Sequence, residues 1–158
     1  MKLNNVMPSL LYNKQDMIIE IIISELDFYV IEKVRELRIK SEPRIDQVEM
    51  AQRLGVSEGY IGSIENPRIK AKYNIRMLAR VAKALNLKSY QELFPSKVLS
   101  NDIVRIRLDL IKTSSRKHDV EENGEITKRF NVLSIKPLSD EELELWKLNK
   151  LKYLTVVK

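Results

Sequence analysis

The sequence predicts a mainly α fold, in which a five-helix domain is followed by a small β-hairpin and a closing helix. Three observations predict it. From Leu26 to Leu85 apolar residues recur at spacings of three and four, and Ser24, Asp46 and Ser57 stand ahead of the first three stretches. Strand-like alternation with period two shows at residues 103–111 and in a second apolar run ending at Pro137. After Ser139 the helical spacing returns and lasts to Leu151.

Residues 1–15 form a polar lead punctuated by Asn4, Asn5, Pro8 and Asn13. Residues 17–23 hold five Ile, which favours a strand. No Gly or Pro separates them from the helix that follows, so a helical reading stays open beside the strand. Ser24 with Asp27 three residues on resembles a capping box that starts a helix near Glu25. From Leu26 to Ile39 the inward stripe is Leu26, Val30, Val34 and Leu37 with Ile31 beside it, leaving Glu32, Arg35, Glu36 and Arg38 on the outer side. Pro43 ends this helix near Ser41. Asp46 is the N-cap of a helix over Gln47–Leu54, and Gly55 suits its left-handed C-cap. Ser57 caps Glu58–Glu65, which Pro67 closes. Residues 74–85 make an amphipathic helix with Ile75, Leu78, Ala82 and Leu85 inward. Ser89 caps a short turn, Tyr90–Phe94, stopped by Pro95.

Ile103–Ile111 and the run Ile126, Phe130, Val132, Leu133, Ile135 read as a hairpin with a long polar loop ending at Asn123-Gly124. A lone hairpin is marginal in water, so residues 17–23 are a candidate third strand joining the two ends of the chain. Ser139-Asp140-Glu141-Glu142 is a capping box ahead of a helix carrying Leu143, Trp146, Leu148 and Leu151. Trp146 is read as core or as dimer interface, with equal weight. The resulting division is 1–24, an N-terminal segment; 25–96, the helical domain; and 97–158, a dimerisation or partner-binding extension.

Composition narrows the function. The 158 residues include no Cys and one His, which excludes disulfide scaffolds, thiolate zinc sites and a Cys nucleophile. No metal, cofactor or catalytic role is expected, and no enzyme activity. Ser114, Ser115, His118 and Asp119 offer the residue types of a nucleophilic site, but within one short loop, and His118 is read as a solvated histidine. No apolar run reaches eighteen residues, and no basic stretch with an apolar core opens the chain, so a cytoplasmic protein away from the membrane is expected.

Lys and Arg number 28 against 22 Asp and Glu, a net charge of +6. The excess is local. Residues 28–96 hold thirteen basic and eight acidic side chains, and Asn66–Lys88 holds Arg68, Lys70, Lys72, Arg76, Arg80, Lys83 and Lys88 with no acid. Such a strip is either a phosphate-facing surface or a solvated helix face.

The most compact motif is Asp46–Asn66. Two short helices meet at Gly55-Val56-Ser57, with Ala51 small at their closest approach and Val56, Ile61 and Ile64 placed to lock the second onto the first. This is helix-turn-helix geometry, in which the second helix enters the major groove. The register Gln47-x-x-x-Ala51-x-x-x-Gly55-Val56-Ser57-x-x-Tyr60-Ile61-x-x-Ile64-Glu65-Asn66, the helix Leu78–Leu85 and the terminal Glu92-Leu93-Phe94 closely resemble the XRE family, the helix-turn-helix of phage Cro and repressor proteins. The resemblance covers about residues 27–95. The segment Glu65–Asn74 and the C-terminal extension look like a variant found in Bacteroidota.

The resemblance implies a five-helix repressor-type domain, binding to double-stranded DNA, transcription regulation and a homodimer. Carried over by position, Gln47 would touch a phosphate or base, and Ser57 would open the recognition helix. Glu58, Gly59 and Ser63 would take base-reading positions, Tyr60 the groove edge, and Asn66 and Arg68 the backbone. Lys70 and Lys72 add phosphate contacts from the basic strip. Arg38 corresponds to a first-helix Arg that pairs with Glu65. Residues 57–65, however, contain Glu58 and Glu65 and no Lys, Arg, Gln or Asn. The strong bidentate base readers are missing, so the expectation is binding dominated by backbone and shape. The alternative is a protein-interaction or antitoxin-like module on the same scaffold, with little base readout.

Overall fold

A computed structural model describes residues 17–111 and 119–157. The elements in order are β1 (Met17–Ser24), α1 (Glu25–Lys40), α2 (Gln47–Leu54), α3 (Tyr60–Glu65), α4 (Ile75–Ala84), a 3-10 turn (Tyr90–Leu93), β2 (Ile103–Leu110), β3 (Phe130–Pro137), α5 (Asp140–Lys147) and β4 (Leu154–Val156). The mainly α expectation is overturned. Of the described residues, helix accounts for 39% and strand for 22%, so the fold is mixed α/β, with a four-stranded antiparallel sheet in place of a hairpin.

The strand order β3-β2-β1-β4 explains the correction. β1 does not stand apart: it runs the full length of β2, from Met17 opposite Leu110 to Ser24 opposite Ile103. It then takes β4 on its other side. The register puts Ile19 opposite Leu108 and Ile21 opposite Ile106, so these four share a face. With Val104 and Phe130 they form a buried cluster, and Phe28 of α1 packs against it. On the reverse face Ile22, Ile103 and Leu138 are covered by Leu143 of α5 and by Leu151. Burying an Ile or Leu side chain is worth roughly 1.5–3 kcal/mol. Helix propensities differ by at most about 0.7 kcal/mol per residue. Non-local burial therefore decides for strand at 17–24.

α5 is fastened electrostatically as well. Glu20 accepts from Arg107 (2.7 Å) and Arg105 (3.3 Å), and Arg105 also reaches Glu142. The Arg107 hydrogen bond, only partly opposed by burial, holds the Glu20 carboxyl below the usual range. Within the long β2–β3 connection, Glu121 and Glu125 close a tight turn through Asn123-Gly124, where Gly124 sits at φ +84.

The helical half encloses a second core that includes Val34, Met50, Leu54, Ile61 and Val81. Two inward assignments are corrected. α1 buries Arg35 and Arg38 along with Val30, Ile31, Val34 and Ile39, while Leu26 is exposed. Hydropathy places arginines outside, but these two have buried partners supplied by distant residues. Ile75 is 87% exposed, and Val81 fills the inward position instead, because Ile75 opens α4 ahead of the turn that meets the core.

Most caps read from the sequence are present. Ser24 accepts from Asp27 N–H (3.2 Å) and Asp46 from Glu49 N–H (2.8 Å), while Asn74, read as the first residue of its helix, is instead its N-cap and accepts from Met77 N–H (2.8 Å). Ser89 and Ser139 make full capping boxes with Glu92 and Glu142. Ser57 differs: α3 starts only at Tyr60, behind Gly59, with no side-chain cap, and Ser57 contributes its carbonyl to Tyr60 N–H (3.0 Å).

Gly55 ends α2 at φ +66, where its N–H bonds Gln52 C=O and Val56 N–H bonds Ala51 C=O, both at 3.0 Å. Arg80 of α4 donates to the Leu54 carbonyl beside it, and Arg53 of α2 donates to Ala84 C=O (2.9 Å). α2 and α4 thus cap each other's C-termini. A Cβ on Gly55 would meet Arg80 Nη2 at 3.1 Å. Gly55→Ala is expected to destabilise by about 1–2 kcal/mol in urea unfolding, from the left-handed backbone alone. An unchanged midpoint would contradict this cap geometry.

Candidate nucleic-acid interface

The position of α3 is set by a buried charge cluster. Arg38 is fully buried and Glu65, the last residue of α3, is 2% exposed. Arg38 Nε and Nη2 grip the two Glu65 oxygens at 3.0 and 2.9 Å. Nη1 and Nη2 grip Asp119 at 2.8 and 3.1 Å, and Nη1 also donates to Ile45 C=O at 2.9 Å. All five guanidinium N–H groups are thereby used. Burial opposes charge on the Asp119 carboxyl, but the hydrogen bonds and charge of Arg38, with Arg35 and Arg44, outweigh it and keep Asp119 below the ordinary aspartate range. The same two carboxylates overcome the burial of Arg38 and raise its pKa further.

The Arg38–Glu65 pair is the one implied by the family resemblance. Asp119 is the member that sequence reasoning missed. It lies 81 residues from Arg38 in a loop of polar residues, and no local spacing marks it. His118, Ser114 and Ser115 fall outside the described residues. Of that four-residue grouping only Asp119 is described, and its carboxylate is committed to Arg38.

Around this anchor the expected site residues fall into two groups. Gln47, at the start of α2, donates from Nε2 to Glu65 at 2.6 Å, and its Oε1 lies 3.2 Å from where a Cβ on Gly62 would stand. One of its two amide N–H donors is thus taken by the anchor. Gly62 provides the space for this contact. Ser57, Glu58 and Gly59 are exposed at the start of α3, and a Cβ on Gly59 would meet nothing within 4 Å. Tyr60 and Ser63 are half-buried. Asn66 accepts from Arg68 N–H at 3.0 Å, shaping the turn after α3.

The second group is the basic strip. Arg68, Lys70, Lys72, Arg76, Lys83 and Lys88 are exposed. Lys72 lies 3.5 Å from Asp27, but its side chain stays 68% exposed, so this surface pair is weak. Arg80 does not belong to the strip, since it is half-buried and engaged with Leu54. Six cations therefore remain open to solvent, beginning directly behind α3. Among the described residues no helix is long and apolar enough to cross a membrane.

Comparison with known proteins adds nothing to this geometry: no family model, no curated protein and no solved structure matches the chain.

Proposed function

We propose that the chain binds double-stranded DNA through the α2–α3 pair, as a helix-turn-helix transcription regulator of the XRE type, and that backbone contacts dominate its affinity. The observation that carries this reading is the run of exposed cations starting at Arg68, beside a helix pair held rigid by Arg38 and Glu65. Exposed Lys and Arg supply phosphate affinity, while α3 supplies few base readers. Rigid placement of α3 lets shape complementarity act.

The test is binding to random duplex across a salt series, followed by selection of preferred sequences. The expected result is a steep salt slope with modest enrichment. No binding at low salt would remove the regulator reading. It would leave the second one, a protein-interaction or antitoxin-like module, which the commitment of Gln47 to Glu65 favours. Selection with Gln47→Ala or Ser63→Ala, if preference is untouched, would exclude direct readout there.

A homodimer completes the proposal. β3 is a sheet edge eight residues long, and it exposes Val132, Leu133 and Ile135. Leu133 is an extra residue in the pairing, since Arg107 faces Ser134 and Leu108 faces Val132. An apolar, unpaired edge favours pairing with a second copy. Trp146, with Leu145 and Leu148, is also exposed, which supports its interface role over a core role. Two copies would set their α3 helices about 34–36 Å apart on one face of the DNA. Val132→Lys with Ile135→Lys is expected to yield a folded monomer by sedimentation, with weakened binding to paired half-sites. A dimer that persists would move the interface elsewhere.

A further inference from the structure

A cavity of about 350 Å³ lies between the helix-turn-helix and the sheet. That volume is in the range of small-molecule sites. Met17, Leu110, Ile111 and Phe130 form its apolar wall. The polar part is unusual. Arg35, 7% exposed, lines it, and among the described residues the one hydrogen bond of its guanidinium is from Nη2 to Thr127 C=O at 3.0 Å. The Thr127 hydroxyl, in a residue also 7% exposed, has no partner among the described residues. A buried guanidinium with most of its five donors unused, beside an orphan hydroxyl, is costly unless something binds there.

The charges at the cavity agree. Among the described residues, Arg35, Arg68 and Arg129 line it against Glu65 and Asp119, leaving one positive charge in excess. Both lining carboxylates are engaged by Arg38, and Glu32, which also lies near Arg35, is engaged by Arg129. Burial, and then the charge of Arg129, lower the pKa of Arg35, as expected of a cation short of counter-charge.

We propose that this cavity binds a small organic carboxylate, with the carboxylate on Arg35 and the Thr127 hydroxyl and an apolar body against Phe130 and Met17. Resting on the DNA-binding reading above, the site would also be regulatory, because Gln47, Asn66 and Arg68 line it too, with Arg68 Nη2 against Met17 Sδ at 2.9 Å. A carboxylate that draws Arg68 inward removes one phosphate contact, lowering DNA affinity roughly five-fold near 0.15 M salt.

The test uses the full chain with benzoate and hexanoate as probes, and benzyl alcohol, hexanol and inorganic phosphate as controls. Thermal unfolding should shift upward by roughly 5–10 °C at a probe concentration a hundred-fold above its Kd. The alcohols and phosphate should give no comparable shift. Arg35→Met and, separately, Thr127→Val should abolish or sharply reduce the carboxylate shift while leaving DNA binding without probe intact. No shift with either carboxylate, an equal shift with the alcohols or phosphate, or a shift that survives Arg35→Met and Thr127→Val would each overturn the proposal. A carboxylate shift in a protein that binds no DNA would keep the site and remove only the regulator reading. DNA binding with no carboxylate response would do the reverse.

Discussion

Arg38→Met is expected to destabilise the fold by about 3–5 kcal/mol in chemical denaturation, the range for removing one partner of a buried ion pair. The shape of the side chain is nearly kept, so the loss comes from stranding Glu65 at 2% exposure and depriving Asp119 of its two hydrogen bonds. Adding Glu65→Met and Asp119→Leu should recover most of the loss, since apolar replacement of a whole buried ionic group is often neutral or better. A pH series checks the cause. The folded pKa of Asp119 is below the unfolded value near 3.9. Its contribution is therefore complete above about pH 4 and is lost as the pH falls through the folded value. Wild type and Arg38→Met should converge in stability as acid is added. A gap that stays constant from pH 7 to pH 3, or a loss below 1 kcal/mol, would mean that the cluster is not what holds α3.

The second large effect concerns DNA. Lys70→Ala with Lys72→Ala should weaken binding to every duplex alike, because phosphate contacts carry no sequence information. Each contact contributes about 0.9 to the slope of log K against log salt, which at 0.15 M amounts to roughly 0.7 log units. Two lost contacts should therefore weaken binding about 30-fold and flatten the slope by about 1.8. Both side chains are exposed, and the pair from Lys72 to Asp27 at 3.5 Å contributes little, so stability should hardly change. An unaltered salt slope would remove these two residues from the interface.

What could be read from the sequence was local. Asp46, Ser89 and Ser139 cap helices by bonding three residues or fewer ahead, and each was legible for that reason. Gly55 was legible because only glycine tolerates its backbone angle readily. The larger errors share one origin, which is partners far away in the chain. Arg35 and Arg38 look like surface cations until Thr127 and Asp119 meet them, 92 and 81 residues on. β1 was ambiguous because the strand that decides it begins at Ile103. β4 is three residues long, too short to show a period, so the fourth strand had no signal of its own. The basic strip was visible as composition, but not the loss of Arg80 to a helix end. The commitment of Gln47 to Glu65 likewise depends on how α2 and α3 meet.

The central strand also dictates an order of events during synthesis. β1 leaves the ribosome first, yet its nearest partner residue on β2, Ile103, follows Ser24 by about 80 residues, and β4 comes later still. At 5–20 residues per second, that interval lasts roughly 4–16 s. Throughout it, Met17–Ser24, with five isoleucines and one charge, has none of the described strands to pair with. A β-prone, nearly uncharged segment of this length is the kind that self-associates when left bare. The nascent chain therefore has a built-in window of vulnerability, which closes only when β2 is complete.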